Sequence, residues 1–382
     1  MDPKYKFQLF KQEKHFCSAP WNLVWVGTDG TVQTCTKNFT AMGNLQESSI
    51  EEILENSAYK KIRADMLTGD NQIHCHSCIS HENQGDGVTE YNHVRNMYNE
   101  LFVKQDVDYT DNSAFKLGAL DLHWSSICNL KCVTCWAKQS SMIANEQNKP
   151  VLHTPTATAL KFINWVVERQ HTLKEVYLSG GEPSLIKYNL NLLEQLEKRP
   201  DLQIRVNSNL TWDHDNAIIQ EVLKFPNVLF TCSADSIGKR FDYIRRGASW
   251  KQFEENLIYL SKFKNVRIRI NSVYFTLSAL TLLDTIDYFY ENFNIDDFTI
   301  NQIGMGHTYL RSRNLPDSTK LLVKEKLLVG LHKYKDNANL IGSFNNCIKE
   351  LENVKDESYI DYLNQIDMLS NLNWRELFPE LS

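Results

Sequence analysis

Eight residues, Cys128-Asn129-Leu130-Lys131-Cys132-Val133-Thr134-Cys135, follow directly on an alternating apolar run, Leu120, Leu122, Trp124. Three thiols spaced C-x3-C-x2-C can close around one iron–sulfur cube, and a cube has one iron more than that. The fourth iron is then left for a small chelating molecule, whereas a plain electron carrier has all its irons held by cysteine. Two blander explanations fit the spacing too. Positions 128, 132 and 135 form one stripe of an amphipathic helix, and free cysteine buries readily as a small apolar residue. Zinc also takes thiolates. Against the stripe, the segment follows a strand pattern with no helix-capping residue before it. Against zinc, no fourth ligand follows at short spacing.

A second cysteine set lies upstream. Cys17 precedes Leu23-Val24-Trp25-Val26, then Thr28-Asp29-Gly30-Thr31, Val32 and Cys35. Asp-Gly between two strand-like runs predicts a hairpin, which brings Cys17 and Cys35 near one another. Ser49 with Glu52 forms a capping box that opens a helix running to about Leu67. After Gly69 comes His74-Cys75-His76-Ser77-Cys78, with His81 beyond. The four thiols Cys17, Cys35, Cys75 and Cys78 can saturate a cluster, and by spacing alone a zinc held by four thiolates or by two thiolates and two imidazoles fits equally.

From Lys116 to Gly304, strand-like and helix-like segments alternate, as a parallel α/β domain requires. The strand candidates are 118–124, 174–179, 202–207, 227–234, 265–275 and 297–303. One helix opens at Thr154-Pro155 with Leu160, Ile163 and Val167, another carries Ile186, Leu190 and Leu193, and later ones carry Phe253, Leu257 and Leu260, then Leu282, Ile286 and Phe289. Parallel strands joined through helices place their C-terminal ends on one rim, where such folds build their sites. Both Cys128–Cys135 and Gly180-Gly181-Glu182-Pro183 follow strand ends. From Pro316 onward the pattern is helical and ends with Trp374 and Phe378. Residues 83–113 lack clear periodicity and read as a link.

The Cys128/Cys132/Cys135 motif followed by Gly180-Gly181-Glu182-Pro183 resembles the radical S-adenosylmethionine superfamily. The resemblance implies a partial (β/α)6 barrel over 113–310, after an N-terminal domain and link over 1–112 and before a helical cap over 311–382. It implies that the three thiols hold a [4Fe-4S] cluster whose open iron takes S-adenosylmethionine. Gly180, Gly181, Glu182 and Pro183 would contact that cofactor, with Asn207, Ser233 and Arg245 (in the segment Asp242-Tyr243-Ile244-Arg245) as further contacts. One departure shows: the family has an aromatic or apolar residue before the third cysteine, and here stands Thr134, with Trp136 just after. The stretch from Cys17-Ser18-Ala19-Pro20-Trp21 through Gly43-Asn44-Leu45 to Cys75 and Cys78 resembles a twitch domain, the shortened SPASM form. That implies a second [4Fe-4S] cluster, with zinc as the alternative. Here the domain precedes the barrel instead of following it.

The implied chemistry is reductive cleavage of S-adenosylmethionine to a 5′-deoxyadenosyl radical that takes hydrogen from an unactivated C–H bond. Net oxidation would follow with the auxiliary cluster as acceptor, of a small molecule, sugar or peptide, and flavodoxin or ferredoxin would donate the electron. The alternatives are epimerisation or rearrangement without net oxidation, or a non-enzymatic zinc or iron–sulfur scaffold. Of the remaining cysteines, Cys232 reads as core, and Cys347 is a weak candidate hydrogen donor.

Bulk composition fits this frame. The chain has 382 residues, 23% charged and 42% hydrophobic, with net charge −6, so no general attraction to nucleic acid or anionic membrane is expected. Met1 to His15 carries Lys4, Lys6, Lys11 and Lys14 without an apolar signal-peptide core, and no run of about 18 apolar residues is present. A cytoplasmic protein is expected, in which nine clustered cysteines point to metal and not to disulfides.

Overall fold

A computed structural model describes residues 6, 9–10, 15–70, 72–82, 90–355, 357–370 and 372–381. Lys4, Lys11, Lys14 and positions 83–89 of the expected link lie outside the described residues. The chain divides into two compact units that interleave along the sequence. The first holds Met1–Cys128, Pro150–Val206 and Asp215–Val228; the second holds Asn129–Lys149, Asn207–His214 and Leu229–Ser382.

In the first unit the strands are β1 (Leu23–Val26), β2 (Thr31–Gln33), β3 (Gly43–Asn44), β4 (Ala119–Leu122), β5 (Glu175–Leu178) and the start of β6 (Gln203–Ser208). Their order is β3-β2-β1-β4-β5-β6. The expected hairpin is β1–β2, antiparallel, with Gly30 at its turn at φ +83°, a conformation in which a Cβ is costly. The hairpin is no separate lobe. β1 pairs in parallel with β4, Trp25 opposite Asp121, and β4 with β5, Asp121 opposite Tyr177. β5 continues to β6 with Tyr177 opposite Arg205.

Alternation along these strands separates two faces. Val24, Val26, Leu120, Leu122, Val176, Leu178, Ile204 and Val206 are all buried. Trp124, of the same parity, packs on Phe162 of the helix Thr156–Arg169 and donates through Nε1 to Asn189 of the helix Lys187–Gln195 at 3.0 Å. Helices therefore cover this face. The other face carries Trp25, Asp121, His123, Tyr177 and Arg205.

Two expectations are corrected. The single helix from Ser49 is two, Ile50–Glu55 and Ser57–Thr68, although the capping box forms with both its bonds. Asn56 breaks the run at ψ 168° because its side chain accepts the Tyr59 N–H and starts the second helix, the usual competition of asparagine with the helical backbone. The link contains the helix Glu90–Phe102. Its Tyr98 and Phe102 pack with Ala19, Leu23 and Ala119, and Asn99 bonds the backbone of Phe16 and Ser18.

In the second unit β7 (Val228–Ser233, all but its first residue), β8 (Val266–Tyr274) and β9 (Asp297–Gln302) are neighbours in that order, β8 and β9 parallel. All six strand candidates of the α/β region thus exist within two residues of their expected bounds. The C-terminal region is helical, with Asp317–Lys333, Ala338–Glu352, Ile360–Ser370 and Trp374–Leu377, and Trp374 and Phe378 are buried. Cys232 is core, as expected. Cys347 is fully buried too, and its sulfur accepts from Gln302 Nε2 at 3.6 Å. No helix among the described residues is long and apolar enough to cross a membrane.

Arg63 pins the first unit's N-terminal part. It is fully buried and donates to the carbonyls of Pro20, Leu54 and Asn112 at 3.0–3.1 Å. Burial lowers its pKa to about 10. Arg63→Met leaves those carbonyls without donors and should lower stability by about 3 kcal/mol, read as a lower urea midpoint.

Candidate functional site

The first unit gathers the four N-terminal thiols. Cys17 lies just ahead of the short helix Ala19–Asn22, Cys35 follows β2, and Cys75 and Cys78 sit on the helix Gln72–Glu82, whose backbone kinks at Cys75 (φ −110°, ψ 18°). Burial pushes the Cys17 thiol up to about 12, with Cys35 and Cys78 adding to the effect. Cys75 is raised by burial, then by Cys17, Cys35 and Cys78. These groups act on one another because they share one poorly hydrated place. Bare thiolates are unfavourable there, and a bound cation would reverse the balance. Among the described residues no disulfide forms, and no three His, Cys, Asp or Glu side chains are already drawn around an ion-sized point. Four soft donors in one place fit an iron–sulfur cluster. His74 faces Asp65 at 3.6 Å, His76 is exposed, and the His81 side chain lies outside the described residues.

Near the other end of the same unit, the Gly180-Gly181-Glu182 turn is laid against the approach to Cys128. Gly181 N–H donates to Ser125 O at 2.9 Å and Glu182 N–H to Ile127 O at 2.8 Å. Gly180 has φ +103°, and a Cβ there would come within 2.7 Å of Ser125 O; a Cβ at Gly181 would overlap the Ile127 carbonyl. Glu182 is buried, and its carboxylate accepts from the backbone and hydroxyl of Ser184. Pro183 opens the turn Pro183–Leu185. Residues 128–135 form no helix, which disposes of the apolar-stripe explanation.

In the second unit Cys132 and Cys135 lie on a loop held from several sides. Lys131 N–H donates to Arg246 O and Val133 N–H to Ile244 O, both at 2.8 Å. Tyr362 OH donates to Val133 O at 2.9 Å, and His307 Nε2 lies 3.2 Å from Cys135 O. His307 meets Tyr309 OH through Nδ1 at 2.6 Å and stacks on Trp136; burial lowers its pKa, so the ring is neutral. Cys135 is pushed up to about 12 by burial and by Cys132, while Arg245 pulls the other way. Arg245 is paired with buried Asp235 at 2.9 Å, and Asp235 also accepts the Val273 N–H. Ser233 Oγ and Asn207 Oδ1 meet at 3.5 Å.

The structure therefore places Cys17, Cys35, Cys75 and Cys78 together, sets the glycine turn beside the segment entering Cys128, and puts Arg245 in the electrostatic neighbourhood of Cys132 and Cys135. Sequence reasoning missed Tyr362, His307 and Tyr309, which carry no local motif. Gly181→Ala should destabilise the fold by about 1–3 kcal/mol through overpacking and weaken S-adenosylmethionine binding, checked by urea denaturation and equilibrium dialysis.

Comparison with known proteins gives two family matches. Residues 122–288 match the Radical SAM superfamily and residues 17–79 match an iron–sulfur cluster-binding domain, SPASM. No curated protein matches the chain. Similar solved structures include anSMEcpe with bound AdoMet and a peptide (17% identity, 57% of this chain and 60% of that one, TM-score 0.41). Another is Streptococcus suis SuiB bound to precursor peptide SuiA (14% identity, 75% and 62%, TM-score 0.42). The chain spans about three-fifths of the length of these two proteins. The chain thus carries, on a mostly parallel α/β fold, a Radical SAM domain over 122–288 and an iron–sulfur cluster-binding SPASM domain ahead of it, domains whose cofactors are a [4Fe-4S] cluster with S-adenosylmethionine and further iron–sulfur.

Proposed function

We propose that Cys128, Cys132 and Cys135 hold the [4Fe-4S] cluster that binds S-adenosylmethionine, and that Cys17, Cys35, Cys75 and Cys78 hold a second one. Bound and reduced there, the first cluster would supply the electron for splitting S-adenosylmethionine into methionine and a 5′-deoxyadenosyl radical able to take hydrogen from an unactivated C–H bond, and the second would supply an electron sink for a net oxidation. The observation that carries this is the pairing of Gly181 and Glu182 backbone with Ser125 and Ile127. It sets the second family motif against the approach to the first.

The chain's own residues then have separate tasks. The Gly180–Pro183 turn presents backbone close to the bound cofactor's amino acid end, where no Cβ intrudes. Arg245, Asn207 and Ser233 supply polar contacts to the same cofactor. Tyr362 and His307 hold the Cys132–Cys135 loop by its carbonyls and keep it from shifting. Division of labour follows the sequence, with the auxiliary thiols in 1–112, the radical chemistry in 113–310 and a helical support in 311–382. The substrate is a small molecule, a sugar or a peptide, and a flavodoxin or ferredoxin donates the electron.

Anaerobically reconstituted protein should carry about eight irons per chain, two cubes of four, and form 5′-deoxyadenosine with dithionite. Cys128→Ala should abolish that product while retaining about four irons. Cys35→Ala should also lose about four irons yet still cleave S-adenosylmethionine. Full iron loading with no adenosyl product contradicts the assignment, and about four irons with zinc contradicts the second cluster.

A further inference from the structure

The second face of the first unit's sheet holds a buried polar pair that none of the assigned roles uses. Asp121 is 1% exposed, and its Oδ1 lies 2.8 Å from His123 Nε2. Its Oδ2 is buried with no hydrogen-bond partner. An ionised carboxylate only accepts, so Nε2 carries the ring proton and Nδ1 presents a lone pair. Among the described residues Nδ1 has no hydrogen-bond partner. Trp25 packs against the imidazole (5.2 Å between ring centroids) and Tyr177 meets it edge-on at 6.3 Å.

Sheet register fixes the pair's distance from the auxiliary thiols. Gln33 lies opposite Trp25, and Trp25 opposite Asp121. Two strand spacings, about 10 Å, therefore separate Gln33 from Asp121, and Cys35 follows Gln33 by two residues in the direction away from His123, because β2 runs antiparallel to β1. The Asp121 charge indeed raises the Cys35 thiol, after burial itself.

We infer that the Asp121–His123 pair takes up a proton when the cluster on Cys17, Cys35, Cys75 and Cys78 takes up an electron. In turnover the electron and the proton both leave the substrate radical, the proton from an O–H or N–H on the carbon that lost hydrogen. That carbon becomes a carbonyl or imine. Nδ1 of His123 accepts the proton, and the total charge of pair plus cluster is unchanged. An added electron beside a buried carboxylate is opposed by like charge, and an imidazolium on that carboxylate removes the opposition.

Other charged and titratable groups face the pair from each neighbouring element. They are Glu175 and Tyr177 on β5, Arg205 on β6, Tyr98 on the helix Glu90–Phe102, and Cys35 after β2. Arg205 stays charged, lying 3.6 Å from Glu175 with its guanidinium 3.7 Å over the Tyr177 ring. Burial holds the Tyr98 phenol well above its ordinary value, so it is neutral.

This inference rests on the second cluster proposed above, and its test reads the two apart. The full chain carrying Cys128→Ala, Cys132→Ala and Cys135→Ala is reconstituted anaerobically, its iron counted, and its midpoint potential followed by electron paramagnetic resonance from pH 5 to 9. Charges about 16 Å apart at an effective dielectric of about 20 couple about sixfold, which for one electron is about 45 mV. The potential should therefore fall by about that much as the pair loses its proton, in this parent and in Tyr98→Phe. With His123→Gln or Asp121→Asn added, the fall should shrink by about that amount. A flat parent, or the same fall with His123→Gln and Asp121→Asn, overturns the role of the pair while leaving the cluster in place. About zero iron in the parent overturns the cluster itself, and the proton site with it.

Discussion

At position 181 the Ile127 carbonyl occupies the space a side chain would need. Only glycine lets the two backbones approach so closely, and two hydrogen bonds then lock the turn to Ser125 and Ile127. Much else depends on that approach. It sets Glu182 at the end of β5 beside the segment that runs into Cys128. Neighbouring Gly180 adds a backbone twist, φ +103°, which a residue with a Cβ would pay for in strain.

The parallel pairing of β1 with β4 is the second organising contact. Through it the hairpin that leads to Cys35 is part of the same sheet as Asp121 and Tyr177. An auxiliary domain placed ahead of the radical domain in the chain is thereby built onto the sheet edge by backbone hydrogen bonds. Helix Glu90–Phe102 reinforces the join by packing Tyr98 and Phe102 between the Cys17 segment and Ala119. Arg63 does the same with three carbonyls.

Local chemistry makes much of this legible in the amino-acid sequence. β4 to β9 are readable because their apolar residues alternate or run on between turn residues, and the hairpin because Asp29-Gly30 permits little else. The thiols are readable because paired spacings of cysteine have few other uses. The remaining features have weaker local signals or none. Asn56 ends a helix through its own side chain, although the apolar pattern runs on past it. Helix Glu90–Phe102 follows a polar stretch that hides its Tyr98 and Phe102 spacing. Tyr362 reaches Val133 across more than two hundred residues, and sequence offers no sign of such a contact. Asp121 and His123 are overshadowed by the apolar parity of their own strand.

In the proposed assignment one iron of the Cys128/Cys132/Cys135 cluster is free of protein ligands and takes S-adenosylmethionine. Pulsed electron–nuclear resonance on the reduced, oxygen-free protein with S-adenosylmethionine labelled at its amino nitrogen and carboxylate oxygen tests it most directly. Hyperfine coupling from both labels, lost in Cys132→Ala, is the result expected. A reduced cluster that shows neither coupling at saturating S-adenosylmethionine would contradict it.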